Sequence, residues 1–205
     1  GLFAGLVNLG VALALLVWVK ESGSAGSIGI YLPSNWDVPF GIVLVLDQLS
    51  ALMLTLAALV GFAAYVFSMA RWHKAGSHFH PLFLVQLMGI NGAFLTGDLF
   101  NLFVFFEVML AASYGLLLHG SGRLRVRAGL HYIAINLTAS SLFLVGAAMI
   151  YGITGTLNMA DIARKAASSG VDGPLMTVAV LYFLAFMTTT LSIMSSENHT
   201  LSIVR

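Results

Sequence analysis

The sequence has 205 residues, of which 59% are hydrophobic and only 8% carry a charge. Soluble domains usually contain about 25% charged residues, so this composition excludes an ordinary water-soluble surface. The net charge of +1 excludes nucleic-acid binding driven by electrostatics. The absence of cysteine excludes disulfides, thiolate zinc sites and cysteine-ligated iron–sulfur clusters. The composition therefore indicates an all-α, polytopic membrane protein.

Six apolar stretches predict a bundle of about six membrane-spanning helices, because a helix of roughly 20 residues crosses the hydrocarbon core. The chain begins at Gly1, without an initiator methionine, and runs straight into the first stretch, so we expect a membrane helix in a processed or fragmentary chain. In the fifth connection Met159, Ile162 and Ala163 share one helical face, which predicts a short helix at the membrane interface. The predicted spans cover residues 2–19, 40–69, 81–96, 99–118, 127–151 and 174–194.

Basic residues fall unevenly between the two sides that six spans would create. The side with the 70–80 and 119–127 loops and the C-terminal tail carries six of the nine Lys and Arg residues. Because cytoplasmic loops carry an excess of Lys and Arg, we expect these two loops to be cytoplasmic and the first helix to run outward.

Glu107 is the residue that most clearly points to chemistry. It lies near the middle of the fourth apolar stretch, where a charge costs at least about 2.5 kcal/mol on insertion scales. Such a residue usually faces the protein interior and marks an ion or proton path, although a neutral glutamic acid that links two helices is the structural alternative. Of its neighbours on the same helical face only Tyr114 is polar, so a partner must come from water or from another helix. Asn136 and Ser140, on one face of the fifth span, are candidates, and ordinary interhelical packing is the alternative for both.

Other polar residues point less clearly to a function in transport. Asp98 directly precedes the fourth span and is predicted to cap it rather than to carry protons. Asp47, placed about seven residues into the second span, could bind an entering cation or make a structural hydrogen bond. Three histidines in the 70–80 loop lack an accompanying carboxylate, so we predict no metal site, and no cofactor motif appears.

The stretch 97–108, Gly-Asp-Leu-Phe-Asn-Leu-Phe-Val-Phe-Phe-Glu-Val, closely resembles the D-type subunit of Mrp-type multisubunit sodium/proton antiporters. That type of subunit is related to the antiporter-like membrane subunits of respiratory complex I. Residues 39–53, 89–96 and 151–163 extend the resemblance, which covers about residues 1–186.

The resemblance implies a larger fold of about fourteen helices, built from two inverted five-helix repeats. It also implies that the glutamate matching Glu107 relays protons together with a lysine two spans later. No lysine falls inside a predicted span here, and the sequence departs from the family pattern after Phe186. We therefore expect a truncated antiporter-like transmembrane domain over 1–186, followed over 187–205 by an aberrant end of the last span and a polar tail.

These observations favour a non-enzymatic membrane subunit of a sodium/proton antiporter complex in a prokaryotic cell membrane. Its partners would be the other membrane subunits, H⁺, Na⁺ and the lipid bilayer, with no nucleic acid. Two alternatives stay open: a proton-pumping membrane subunit of an NADH:quinone oxidoreductase, and a non-transporting scaffold fragment.

Overall fold

The computed structural model describes residues 2–21, 28–33, 35–36, 41–69, 78–119, 123–167, 173, 176–186 and 188–189, without the side chains of 123–125, 127 and 128. Helices dominate this part of the chain. The elements in order are α1 (Leu2–Glu21), β1 (Gly29–Tyr31), β2 (Leu44–Leu46), α2 (Gln48–Met69), α3 (Phe79–Leu95), α4 (Leu99–Leu118), α5 (Arg123–Thr154), α6 (Met159–Ala167) and α7 (Met176–Phe186).

The predicted all-α membrane fold is confirmed. Among the described residues four helices, α1, α2, α4 and the Gly129–Thr154 part of α5, are long and apolar enough to cross a membrane. The shorter apolar helix α3 overlaps the predicted third span, and α7 covers residues 176–186 of the predicted sixth span, 174–194. Most of the predicted aberrant end, residues 187–205, lies outside the described residues, as does most of the 70–80 loop.

The second predicted span is wrong at its start, because α2 begins at Gln48 and not near residue 40. The apolar residues before it form β2, which pairs antiparallel with β1 in the register Ile30 to Val45. A short apolar run does not distinguish a buried strand from a helix by its periodicity, which explains the error. Asp47 consequently lies just before α2 instead of seven residues inside a span.

Two compact units make up the chain, residues Gly1–Ser121 and Gly122–Arg205. In the first unit α1 packs against α2, α2 against α3, and α3 against α4. Each of α2, α3 and α4 therefore contacts the helix that precedes it in the sequence.

Small and medium-sized apolar side chains form the contact between α1 and α2. Ala12, Leu54 and Ala58 make a buried cluster there. The hydroxyl of Thr55 supports this contact, because it donates to the Ala12 carbonyl at 3.3 Å as well as to the Ala51 carbonyl in its own helix.

In the second unit α5 packs against α7 through aromatic contacts. The Phe143 ring meets the Phe183 ring edge to face at 4.7 Å between centroids, and it meets the Phe186 ring in the same manner at 5.2 Å. Such edge-to-face pairs stabilise a contact by about 0.5–1.5 kcal/mol beyond the burial of their area.

After α5 the chain turns at Gly155, whose φ of 67° is in the left-handed region that favours glycine. The short helix α6 follows, which confirms the helix predicted around residues 159–163. Lys165 fastens α6 to α5 by donating to the carbonyl of Thr154, the last residue of α5, at 2.8 Å.

Candidate functional site

The site begins where α3 ends and α4 starts, at a turn held by side-chain hydrogen bonds. Asp98 is extended, with φ −128° and ψ 134°, and its Oδ1 accepts from the backbone nitrogen of Asn101 at 2.9 Å. The side-chain amide of Asn101 in turn donates to the Thr96 hydroxyl at 2.9 Å. The backbone nitrogen of Gly97 donates to the Val43 carbonyl at 2.8 Å. Asp98 is 7% exposed. The predicted role of Asp98 as the N-cap of α4 is confirmed.

Glu107 is the ninth residue of this 20-residue helix. At a rise of about 1.5 Å per residue it lies about 12 Å from the start of α4, close to the middle of the span. Every other residue of α4 is uncharged, so the carboxyl group has no charged neighbour within its own helix.

Glycines bring α3 into backbone contact with one side of α4. A Cβ added at Gly89 would lie 2.8 Å from the backbone nitrogen of Met109, and one added at Gly92 would overlap the ring of Phe105. Successive residues of an α-helix are separated by about 100°. Glu107, two positions from both Phe105 and Met109, is therefore on the opposite side of α4 from α3.

One oxygen of the Glu107 carboxyl group is buried without a partner. Oε1 is inaccessible to solvent and makes no hydrogen bond with any part of the chain that the structure describes. Buried polar atoms are normally hydrogen-bonded, so an exception calls for an explanation, such as backbone strain, a catalytic role or a bound water or ion. A carboxyl group in this situation can carry a proton when neutral and attracts a positive charge when ionised.

The remaining predicted partners of Glu107 are distributed over both units. Tyr114 is half-buried and seven residues further along the Glu107 side of α4. Asn136 and Ser140 belong to α5 in the second unit, where they are buried with 2% and 5% exposure. The amide nitrogen of Asn136 is buried and has no hydrogen-bond acceptor among the residues described. That α5 supplies the partner of Glu107 stays a prediction.

Asp47 makes a structural hydrogen bond, one of the two roles considered for it, and it does so as the cap of α2. Its Oδ1 accepts from the Ser50 backbone nitrogen at 2.6 Å. This hydrogen bond holds the pKa of the Asp47 carboxyl below its ordinary value, because it stabilises the ionised form. The same effect lowers the pKa of Asp161 in α6, where Arg164 and then Lys165 donate to the carboxylate.

The sequence does not predict two polar pairs that the structure contains. Asn91 of α3 donates to the Asn8 side chain of α1 at 2.8 Å, and the hydroxyl of Tyr65 in α2 lies 2.8 Å from Nδ1 of His80 in α3. An asparagine within an apolar helix is a visible signal, but its partner is decided by packing between helices. In the described ranges no three His, Asp or Glu side chains come together in a way that could hold a metal ion.

Comparison with known proteins shows which families this chain resembles. Residues 96–195, which include α4 and Glu107, match the family model described as "NADH:quinone oxidoreductase/Mrp antiporter, TM". The matched class is thus that of the antiporter-like membrane subunits.

Individual relatives give a more specific comparison than the family model does. The chain is 68% identical over 147 residues to a probable K⁺/H⁺ antiporter D subunit from Rhizobium meliloti, covering 72% of this chain and 27% of that protein. It is 45% identical over 186 residues to the Na⁺/H⁺ antiporter D subunit of Alkalihalophilus pseudofirmus, covering 90% of this chain and 37% of that protein. A chain of the Mrp complex from Dietzia sp. superposes with a TM-score of 0.76 at 37% identity, over 90% of this chain and 34% of that one.

The chain is therefore similar to the D-type subunits of Mrp antiporters, as its sequence predicts. It spans about a third of the length of the relatives that it matches, between 27% and 37%.

Proposed function

We propose that this chain is a membrane subunit, or part of one, of a monovalent cation/proton antiporter complex. It would lie as a multi-pass protein in the plasma membrane of a prokaryote, assembled with other membrane subunits. Relatives named as sodium/proton and potassium/proton antiporter subunits support the class of transport. Because the chain spans about a third of those relatives, transport is proposed for the complete assembly.

The observation that carries the proposal is the buried, unpartnered carboxyl oxygen of Glu107 at mid-span, which has no partner among the described residues. Ionisation of the carboxyl group at that depth without a compensating charge costs at least about 2.5 kcal/mol. A positive charge brought close by the rest of the assembly offsets that cost, and the proton is released. Glu107 would thus load and unload one proton as its electrostatic surroundings change.

The test replaces Glu107 by glutamine in the assembled complex. Glu107→Gln keeps the size and hydrogen-bonding capacity of the side chain but cannot release a proton. We expect cation-driven proton flux in membrane vesicles to fall at least about 100-fold, with the complex still assembled, because a positioned proton carrier typically contributes that much. Glu107→Asp should retain part of the flux.

The matched control is Glu21→Gln, the same chemical change at the exposed end of α1. It should leave proton flux within a factor of about two, since surface changes away from a functional site have small effects. Wild-type flux in Glu107→Gln would remove Glu107 from the mechanism and favour a non-transporting scaffold role for this chain.

The family description also names NADH:quinone oxidoreductase, which supports a second candidate function. In that case the same glutamate would serve a proton-pumping membrane arm driven by electron transfer instead of by a cation gradient. Purification of the native complex distinguishes the two. Flavin and iron–sulfur subunits that copurify with the chain would favour the oxidoreductase, and cation-driven flux without them would favour the antiporter.

A further inference from the structure

Two polar residues interrupt the buried apolar face of α5. Asn136 and Ser140, one helical turn apart, are 2% and 5% exposed, and the neighbouring Ala139 and Phe143 are buried with them. The Nδ2 atom of Asn136 is inaccessible to solvent and makes no hydrogen bond with any residue that the structure describes. A buried donor inside a membrane-spanning helix needs an acceptor, because the surrounding hydrocarbon supplies none.

The contacts between α5 and α7 show which part of the chain lies opposite these two residues. A Cβ added at Gly146 would lie 3.3 Å from the carbonyl oxygen of Ala179. One turn earlier in α5, the Phe143 ring packs against the ring of Phe186, which comes seven residues after Ala179. The two helices are therefore antiparallel. The preceding turns of α5, which hold the two polar residues, lie at the level of the residues that follow Phe186.

Thr189 supplies a third polar group at that level. It comes three residues after Phe186, on the same side of the helix, and is half-buried. Its hydroxyl donates to the carbonyl of Ala185 at 2.7 Å, and its oxygen can accept a hydrogen bond at the same time. Because both helices rise by about 1.5 Å per residue, Thr189 lies at a height between those of Asn136 and Ser140.

We propose that Asn136, Ser140 and Thr189 hold a buried water molecule between α5 and α7. The unpartnered group of Asn136 is a donor, so its ligand must accept a hydrogen bond, which a metal ion cannot do. A carboxylate could accept it, but the only carboxyl group among the described residues of the second unit is that of Asp161, which already forms an ion pair with Arg164.

Water fits all three polar groups. It accepts a hydrogen bond from Nδ2 of Asn136 and can donate to the hydroxyl oxygens of Ser140 and Thr189, and a buried water typically needs two to four such partners. The small side chain of Ala139, between the two polar residues of α5, leaves more space beside them than a larger apolar residue would. The proposal does not depend on the role of Glu107.

The exposed side of the same stretch of α5 shows how polar residues are satisfied without a ligand. The hydroxyls of Thr138 and Ser141 donate to the carbonyls of Ala134 and Leu137 in their own helix, at 3.0 and 2.9 Å. The Nδ2 atom of Asn136 has no such bond to its helix. The need for a further molecule is therefore specific to the buried face.

A map of the assembled complex in lipid, at a resolution that shows ordered waters, tests the proposal. We expect the density of one isolated oxygen within about 3 Å of Nδ2 of Asn136 and of the Ser140 or Thr189 hydroxyl. Asn136→Leu, similar in size but without polar atoms, should lose this density without loss of thermal stability, because donor and acceptor are removed together. Thr138→Val, on the exposed side, is the matched control and should retain the density.

Apolar atoms against Nδ2 of Asn136 in the wild-type map, or a protein oxygen bonded to it, would overturn the proposal. If that oxygen belonged to Glu107, the predicted pairing of Glu107 with α5 would replace the water. Unchanged density in Asn136→Leu would also contradict the proposal, since other groups would then hold the water. If Asn136→Leu does not assemble, the wild-type map alone decides. Proton flux in Glu107→Gln tests the proposed function separately.

Discussion

The two sides of α4 differ in what lies against them. On one side Gly89 and Gly92 let the α3 backbone contact Met109 and Phe105 directly. On the other side Glu107 has a carboxyl oxygen that is buried without a described partner. Because glycine has no side chain, the two helices are in close contact at Gly89 and Gly92, and this contact fixes the rotation of α4. The rotation directs Glu107 away from α3.

The largest expected effect on the contact between α3 and α4 comes from adding a methyl group to a glycine of α3. Gly89→Ala would place its Cβ against the Met109 backbone, where no side chain can move aside, so α4 itself must shift. Overpacking typically costs about 1–3 kcal/mol. We expect lower thermal stability of the solubilised complex together with reduced proton flux. Gly92→Ala should be milder, because the obstructing atoms belong to the Phe105 ring, and Phe105→Leu should partly rescue it.

Gly10→Ala is the matched control for these substitutions, since nothing lies within 4 Å of the Cβ it would add in α1. Alanine is favoured over glycine in a helix by roughly 1 kcal/mol, so this variant should be unchanged or slightly more stable. Loss of flux in Gly10→Ala, or wild-type stability in Gly89→Ala, would contradict the claim that close backbone contact sets the position of Glu107.

A smaller effect is expected at the start of α4. Asp98→Ala removes the acceptor of the Asn101 N–H and should lower stability by about 1 kcal/mol, measured as a lower unfolding temperature of the complex. Asp98→Asn keeps an acceptor oxygen and should restore both stability and proton flux. Loss of flux in a stable Asp98→Asn variant would show instead that this carboxylate carries protons.

The sequence predicts α4 with its correct bounds because its signals are local: Asp98 supplies the cap, and the apolar residues then continue to Leu118. The start of α2 is not predictable in the same way, since strand β2 is as apolar as the helix that follows it. Glu107 stands out because a single acid in an apolar helix is visible in the sequence.

The sequence does not predict the hydrogen-bond partners of polar side chains, because those partners come from other helices. The bonds from Asn91 to Asn8 and from Tyr65 to His80 join residues 83 and 15 positions apart, and only tertiary packing brings these side chains together. The pairing of Glu107 with residues of α5 belongs to the same category and stays a prediction.

Infrared difference spectroscopy of the complex in lipid reports whether the Glu107 carboxyl group holds a proton and releases it during exchange. Adding the transported cation at constant pH should diminish a carbonyl stretching band of a protonated carboxylic acid. That change should be absent in Glu107→Gln and displaced in Glu107→Asp. An unaltered difference band in Glu107→Gln would contradict a proton-carrying role for Glu107, because the proton would then reside on another group.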